Sequence, residues 1–274
     1  MNHPSDTQQP ANSQLTTCPE PRRRVDNSQL TINILGVQID NVTTEQALQR
    51  IAGFVEQGTP HQVITVNPEF VMTAQRLPAF HDVINHADLR IPDGVGLLWA
   101  ARRLGTPLPE RVAGSDMIPL IAKQAARLGH RVFLLGAAPG VAEKAAARLV
   151  NTAPGVMIVG THAGSPAIEE EDNIVEMIRA AAPDILFVAY GAPQQDFWIA
   201  RNLDRLEVPV AMGVGGAFDF LAGVARRAPR WVQRLGFEWL YRLAREPWRW
   251  RRQLDIPRFM WYVMRDTGCG MRDD

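Results

Sequence analysis

The stretch RVFLLGAAPGVAEKAAARLV (residues 131–150) contains an apolar run, a glycine loop and a helical pattern, in that order. Its first six residues suit a buried strand, and its last ten, rich in alanine, place apolar residues at helical spacing. Three further strand patterns follow, separated by helical segments of about 10 to 15 residues. They are GVMIVGTHAG, DILFVAYGAP and VPVAMGVGGAF. Strands that alternate with helices in this way predict an α/β domain whose strands are parallel and buried on both faces.

The residues upstream of this stretch extend the same pattern. A strand or strand pair is predicted in LTINILGVQID, and a helix in TTEQALQRIAGFVEQG begins at Thr43 or Thr44 and ends at Gly58. The β-branched run HQVITV predicts another strand, and the helical segment after it has a proline, Pro78, near its middle. Residues 30–225 are therefore predicted to form one α/β core, a Rossmann-like parallel sheet flanked by helices.

The chain outside this core differs in composition. Residues 1–29 are polar, contain prolines, lack the apolar core of a signal peptide, and are predicted to be a disordered leader. Residues 226–265 hold eleven arginines against three acidic residues, a net charge of +8, and five of the seven tryptophans. We predict a basic helical appendage here, followed by a tail at 266–274. Arginine combined with tryptophan suits an anionic lipid surface, a phosphate-rich ligand or nucleic acid.

Some kinds of site are absent from the sequence. The two cysteines, Cys18 and Cys269, lie near opposite ends of the chain and indicate a reducing compartment without a disulfide framework. The sequence contains no run of 18 apolar residues, so no membrane-spanning helix is predicted. The dinucleotide and P-loop glycine patterns, the Gly-x-Ser-x-Gly elbow and the spacings of metal ligands are all missing. We therefore predict neither a metal site nor a bound cofactor.

The loops after the predicted strands are the candidate binding region, because ligands of open α/β sheets bind beyond the carboxyl ends of the strands. Two of these loops, LLGAAPG and GVGGAFD, suit close approach by a phosphate and contribute Gly136, Gly215 and Asp219 as candidate substrate contacts. Each glycine can equally serve a turn or close packing. A third loop, IPDGVG, presents a carboxylate, Asp93, after an apolar run, although an Asp-Gly pair on its own is commonly a turn.

Eight motifs in a fixed order give the sequence a resemblance to the WecG/TagA/CpsF family of glycosyltransferases. The resemblance covers about residues 30–258 and rests on TVNPEF, IPDGVGLLWA, RVAGSDMIP, FLLGAAPGVAEKAA, YGAPQQDFWI, GVGGAFDFLAG, RAPRW and GFEWLYRLAREPWRWRRQ. It implies inverting, metal-independent transfer of a sugar from a UDP-linked donor to a polyprenyl-diphosphate-linked sugar at the cytoplasmic face of the membrane. The implied donor is UDP-N-acetylmannosamine or its uronic acid.

The resemblance also implies roles for individual residues. Asp93 would be the base that deprotonates the acceptor hydroxyl, a task that a carboxylate on a rigid turn can perform. The basic appendage would complete the active site, with arginines balancing the charge of the leaving UDP. The residues implied for sugar and phosphate recognition are Thr65, Asn67, Arg111 and Gln195, and those implied for the diphosphate are Arg242, Arg249 and Arg252.

One motif departs from the family pattern. Gln194 and Asp196 flank Gln195 where other members often have a lysine and a glutamate. Because this difference bears on the donor, UDP-glucose and UDP-glucuronate are alternatives to the N-acetylmannosamine donor within the same reaction class.

The resemblance implies three partners: a UDP-sugar, a polyprenyl-diphosphate-linked acceptor, and an anionic membrane surface that the protein binds peripherally from the cytoplasm. Nucleic acid is disfavoured, because the prolines and the five tryptophans of the appendage suit a membrane interface better. A non-catalytic, membrane-associated nucleotide-binding protein is the alternative of another class. The sequence leaves the oligomeric state open, a homo-oligomer included.

Overall fold

A computed structural model of the chain describes residues 31–225, 228–229, 232, 240–241, 243 and 254–269. These residues form an α/β fold in which helices flank a parallel sheet, so the predicted fold class is confirmed. The strands are β1 (Thr31–Ile34), β2 (Val37–Asp40), β3 (His61–Val66), β4 (Leu89–Pro92), β5 (Arg131–Gly136), β6 (Met157–His162), β7 (Ile185–Ala189) and β8 (Val210–Gly213).

Six of these strands form one sheet in the order β4-β3-β8-β7-β5-β6, and every neighbouring pair is parallel. From β3 the chain steps outward to β4, crosses to β5 and β6 on the far side, and returns through β7 to β8 beside β3. β8, the last strand of this sheet in chain order, therefore lies next to β3, the first, and the carboxyl ends of both lie at the same edge of the sheet. The remaining pair, β1 and β2, forms a separate antiparallel hairpin.

Helices cover both faces of the sheet. One face packs against α1, α5, α6 and α9 in a single apolar cluster, and the other packs against the remaining helices in two clusters. The helices are α1 (Thr44–Gln57), α2 (Pro68–Arg76), α3 (Pro78–His86), α4 (Val95–Arg103), α5 (Gly114–Leu128), α6 (Val141–Thr152), α7 (Ile168–Ala181), α8 (Gln194–Leu206), α9 (Ala217–Leu221) and α10 (Asp255–Cys269).

Local signals in the sequence set the helix ends. At the start of α1, the Thr43 hydroxyl accepts a hydrogen bond from the Gln46 N–H, and the Gln46 side chain accepts one from the Thr43 N–H. Gly58 ends α1 in the left-handed conformation, with φ of 68°. Pro78 splits the next helical segment, because proline cannot donate the backbone hydrogen bond that a continuous helix needs, and α2 and α3 result.

A buried carboxylate fixes the hairpin to the sheet. Asp40, at the end of β2, is fully buried and accepts hydrogen bonds from the Arg90 N–H (2.8 Å) and the Arg90 Nε (2.9 Å). Its other oxygen accepts a bond from Nη1 of Arg50 on α1 (3.0 Å). Since a buried charge that loses its partner is strongly destabilising, these bonds hold the hairpin and α1 in register with β4.

The final helix, α10, runs along α2 in the opposite direction. Its first residue, Asp255, accepts hydrogen bonds of 2.6 and 2.7 Å from the guanidinium of Arg76, in the last turn of α2, and this contact raises the pKa of Arg76. One turn later the buried ring of Phe259 lies against Gly96 of α4, which itself contacts Pro68 at the start of α2. α10 therefore points toward the carboxyl edge of the sheet.

α10 provides a helix within the segment predicted as a basic appendage, and it continues to Cys269. The predicted leader at 1–29 and most of residues 226–253 lie outside the described residues. None of the helices in the described ranges is both long and apolar enough to cross a lipid bilayer.

Candidate functional site

Four neighbouring loops form the candidate site at the carboxyl edge of the sheet. β4, β3, β8 and β7 lie side by side and run parallel, so their carboxyl ends lie at the same edge of the sheet, with β3 continuing two residues beyond the level of Gly213. Three interstrand steps of about 4.8 Å spread the four ends over about 14 Å. The loops implied by the separate motifs thus meet along one edge.

These loops diverge around the end of β8. β3 and β7 lead into α2 and α8 on one face of the sheet, whereas β8 between them leads into α9 on the other face. Loops that part in this way leave a crevice above the strand ends, the usual ligand position in an open α/β sheet.

Asp93 is held at one side of this crevice. Its N–H donates a 2.7 Å hydrogen bond to the carbonyl of Val66, which ties the loop after β4 to the end of β3. Its carboxylate oxygen Oδ2 accepts a 3.1 Å bond from the N–H of Gly114, the first residue of α5. A helix N-terminus favours negative charge, so the position suits an ionised carboxylate of fixed orientation. Gly94 allows the sharp exit from this loop, with φ of 110°.

The segment before α5 brings Arg111 and Thr65 to the same place. Val112, next to Arg111, donates a 2.9 Å bond to the carbonyl of Pro92, the residue before Asp93. A Cβ atom at Gly114 would lie 2.8 Å from Cγ2 of Thr65, so only glycine allows this approach. The structure therefore brings Thr65, Arg111 and Asp93 together around the start of α5.

Asn67 has a structural task at the end of β3. Its side-chain oxygen accepts a 3.0 Å bond from the Phe70 N–H and caps α2. Gly94 of the Asp93 loop packs against Pro68, the residue after Asn67. The two loops therefore support each other, and the side chain of Asn67 stays half-buried beside Asp93.

Gln195 lies below the glycine loop after β8. Its side-chain oxygen Oε1 accepts a 2.8 Å hydrogen bond from the N–H of Gly215, and only 2% of the residue is exposed. One backbone N–H of the glycine loop, that of Gly215, is thus bonded to Gln195. Asp219 lies half-exposed in the first turn of α9, after the same loop.

Gly136 has a packing role at the end of β5. Its φ is 101°, and a Cβ atom there would lie 2.7 Å from the carbonyl carbon of Ala189 in β7. The close approach of the two strands therefore explains this glycine without a ligand. Gly136 still lies at the same edge of the sheet as the other candidate residues.

The three arginines implied for the diphosphate, Arg242, Arg249 and Arg252, lie outside the described residues. Within the described ranges, no group of three or more His, Cys, Asp or Glu side chains is arranged to hold a metal ion.

The structure gives roles to residues whose roles the sequence did not show. Gly114, a residue of the RVAGSDMIP motif, supplies the donor to Asp93. Asp196, which departs from the family pattern, is buried beneath the glycine loop. The Tyr190 hydroxyl and Trp198 Nε1 are buried without a hydrogen-bond partner among the described residues, and burial raises the pKa of Tyr190.

Comparison with known proteins agrees with the motifs. Residues 32–271 match the model of the glycosyl transferase WecG/TagA/CpsF family. An N-acetylglucosaminyldiphosphoundecaprenol N-acetyl-beta-D-mannosaminyltransferase from Bacillus spizizenii is 34% identical over 212 residues, which cover 77% of this chain and 82% of that protein. A Staphylococcus aureus protein of the same name is 35% identical over 234 residues, covering 85% of this chain and 91% of the relative. The chain belongs to the WecG/TagA/CpsF family of glycosyltransferases.

Proposed function

We propose that this protein transfers N-acetylmannosamine, or a related hexosyl group, from a UDP-sugar to a polyprenyl-diphosphate-linked sugar in the synthesis of a cell-surface polysaccharide. The observation that carries the proposal is the placement of Asp93 beside Thr65, Asn67 and Arg111, at one end of a crevice whose other end holds Gln195 and Gly215. The names of the relatives from Bacillus and Staphylococcus support the same reaction class.

The proposed mechanism is a single displacement with inversion. Asp93 accepts the proton of the acceptor hydroxyl as that oxygen attacks the anomeric carbon, and the bond from this carbon to UDP breaks on the opposite side. The bond from the Gly114 N–H keeps one carboxylate oxygen fixed. The other oxygen is then oriented for the proton by the same contact.

The leaving UDP gains negative charge, which the site must stabilise. We assign this task to Arg242, Arg249 and Arg252 of the appendage, and recognition of the sugar and phosphates to Thr65, Asn67, Arg111, Gln195, Gly136, Gly215 and Asp219. The reaction then needs no metal ion.

We also propose that the protein binds the cytoplasmic face of an anionic membrane peripherally. On the outer side of α10, Trp261 is 51% exposed and Met264 47%, and the Arg265 guanidinium lies 5.1 Å from the centre of the Trp261 ring. Exposed aromatic and sulfur side chains next to arginine suit the interface between lipid headgroups and acyl chains. α10 points toward the carboxyl edge, so this face lies on the side where a lipid-linked acceptor would enter.

The test of the reaction uses the purified chain, undecaprenyl-diphosphate-N-acetylglucosamine and a panel of UDP-sugars. Mass spectrometry of the lipid product should show one added N-acetylhexosamine with UDP-N-acetylmannosamine. Addition of glucose or glucuronate instead would identify one of the alternative donors. UDP binding without any lipid product would favour the non-catalytic alternative.

The test of the membrane proposal is vesicle co-sedimentation. Replacing Trp261 and Met264 together by alanine should weaken binding to vesicles that contain phosphatidylglycerol. The control is Met177→Ala, which removes a methionine of similar exposure (40%) from α7. Equal binding of the two variants would contradict the role of α10.

A further inference from the structure

Asp196 is a buried carboxyl group whose oxygens accept no hydrogen bond of normal geometry in the part of the chain that the structure describes. It lies in the first turn of α8, and only 1% of the residue is exposed. Burial raises the pKa of Asp196 to about 8, although the neighbouring amide of Gln195 and its own backbone N–H oppose the rise. At neutral pH the group is therefore mostly the uncharged acid.

The acid lies directly under the glycine loop of the crevice. A Cβ atom at Gly213, the last residue of β8, would be 2.6 Å from Oδ1 of Asp196 and 2.6 Å from Nε2 of Gln195. The end of β8 thus packs against the side chains of Gln195 and Asp196. Gln195 in turn accepts the bond from the Gly215 N–H, two residues farther along.

The first turn of α8 is itself fixed to the sheet. The side-chain amide of Gln62, on β3, donates a 3.0 Å hydrogen bond to the main-chain carbonyl of Asp196, and both residues are buried. The backbone of Asp196 is therefore fixed beside β3, and its carboxyl group is enclosed by the surrounding residues. Any charge formed on it would stay under the loop.

The elements packed around α8 offer no charge that compensates one on Asp196. Strands β7 and β8 contain no ionisable side chain, and β3 presents the neutral Gln62. Tyr190, after β7, is kept neutral because burial raises its pKa. The helices packed against α8 are α3, with His81, Asp82 and His86, and α7, with Glu169, Glu170, Glu171, Asp172, Glu176 and Arg179. α8 itself carries Arg201, Asp204 and Arg205, and Arg201 and Arg205 pair with Glu171 and Asp172. Among the described residues, burial remains the largest cause of the shift.

We propose that Asp196 is a positioning residue that packs against Gln195 and the end of β8 and keeps the loop 213–216 in the shape that receives the diphosphate of the UDP-sugar. The proposal rests on the proposed function. Ionisation would put an unpaired negative charge beside Gln195 and below the position of an anionic ligand, which both disturbs the loop and repels the donor. Loss of the proton should therefore weaken donor binding more than it slows the chemical step.

The experiment measures donor KM, kcat and, by calorimetry, the Kd of UDP between pH 6.5 and 9. For the wild-type chain, donor KM and the Kd of UDP should rise about tenfold between pH 7 and pH 9, with a midpoint near 8, while kcat changes less than twofold. Asp196→Asn, which is neutral and nearly isosteric, should match wild type at pH 7 and lose the alkaline rise. Asp204→Asn, on an exposed position of the same helix, should keep it.

Asp196→Ala extends the test to a variant that removes the contact. It should raise donor KM at every pH, with no dependence on pH, and thermal melting curves show whether each variant is folded. The proposal is overturned if Asp196→Asn retains the alkaline rise, or if wild type shows none. If UDP binding has the expected pH dependence and no sugar is transferred, the proposed function fails and the positioning role stands. If the sugar is transferred and the donor KM does not depend on pH, the proposed function stands and the positioning role of Asp196 fails.

Discussion

Replacing Asp93 by asparagine tests the proposed base while disturbing the fold little. An asparagine side-chain oxygen can still accept the 3.1 Å bond from the Gly114 N–H, and the backbone bond to Val66 is unaffected. The cost in folding stability is therefore about 1 kcal/mol or less, the value of one ordinary hydrogen bond. A general base contributes about a hundredfold to ten-thousandfold to the rate, or roughly 3 to 5 kcal/mol of the barrier. The expected effect on kcat thus exceeds the effect on stability severalfold.

The assay follows formation of the glycosylated lipid under saturating donor, with UDP affinity measured separately by calorimetry. We expect kcat of Asp93→Asn to fall by two to four decades with UDP affinity within about twofold of wild type. Asp116→Asn is the matched control, since Asp116 is an exposed acid in the first turn of α5, the helix whose first N–H binds Asp93. Retention of more than about a tenth of the wild-type kcat by Asp93→Asn would show that another group accepts the proton.

Three further predictions concern the surroundings of this base. Gly114→Ala should lower kcat/KM at least tenfold and cost about 1 to 3 kcal/mol in urea unfolding, because its Cβ would overlap Thr65; an unchanged kcat/KM would contradict the close packing. Activity should survive EDTA, and its recovery only on adding Mg²⁺ or Mn²⁺ would contradict metal-independent transfer. Arg249→Glu should damage transfer far more than vesicle binding, whereas Arg265→Glu, on α10, should do the reverse, because a leaving-group donor is worth about 3 to 4 kcal/mol and one lipid-facing arginine about 1. Parallel losses of both properties in both variants would mean that the arginines are only anchors.

The elements of the fold were predictable because they depend on local signals. Alternating apolar runs and helical periods identify most of the strands and helices, and Thr43, Gly58 and Pro78 mark helix ends through their own backbone chemistry. The short strand β4 and the helices α4 and α9 were not identified in this way. The order of the strands was not predictable in this way. It depends on which crossover passes over which strand, and the placement of β8 between β3 and β7 joins residues that are far apart in the chain.

The site was predictable to the extent that residues carry their own chemistry. The loop IPDGVG on its own allowed a turn as readily as a base, and only the resemblance to the family implied the base; the structure places Asp93 at the crevice. The sequence could not show that Gly136 is explained by its contact with Ala189, or that the Gly215 N–H is already bonded to Gln195. Both facts depend on distances between strands, which a glycine in a sequence does not record.

Gln194 and Asp196, the two residues that depart from the family pattern around Gln195, lie on different sides of α8. Gln194 and Asp196 were both connected with donor identity, because both flank a residue implied for recognition. In α8 they point in different directions, since positions two apart on a helix lie about 200° around its axis. Gln194 is exposed, whereas Asp196 is buried under Gly213. A direct effect on donor choice can therefore come only from Gln194 of these two, and Asp196 can act on the donor only through Gln195 and the loop above it.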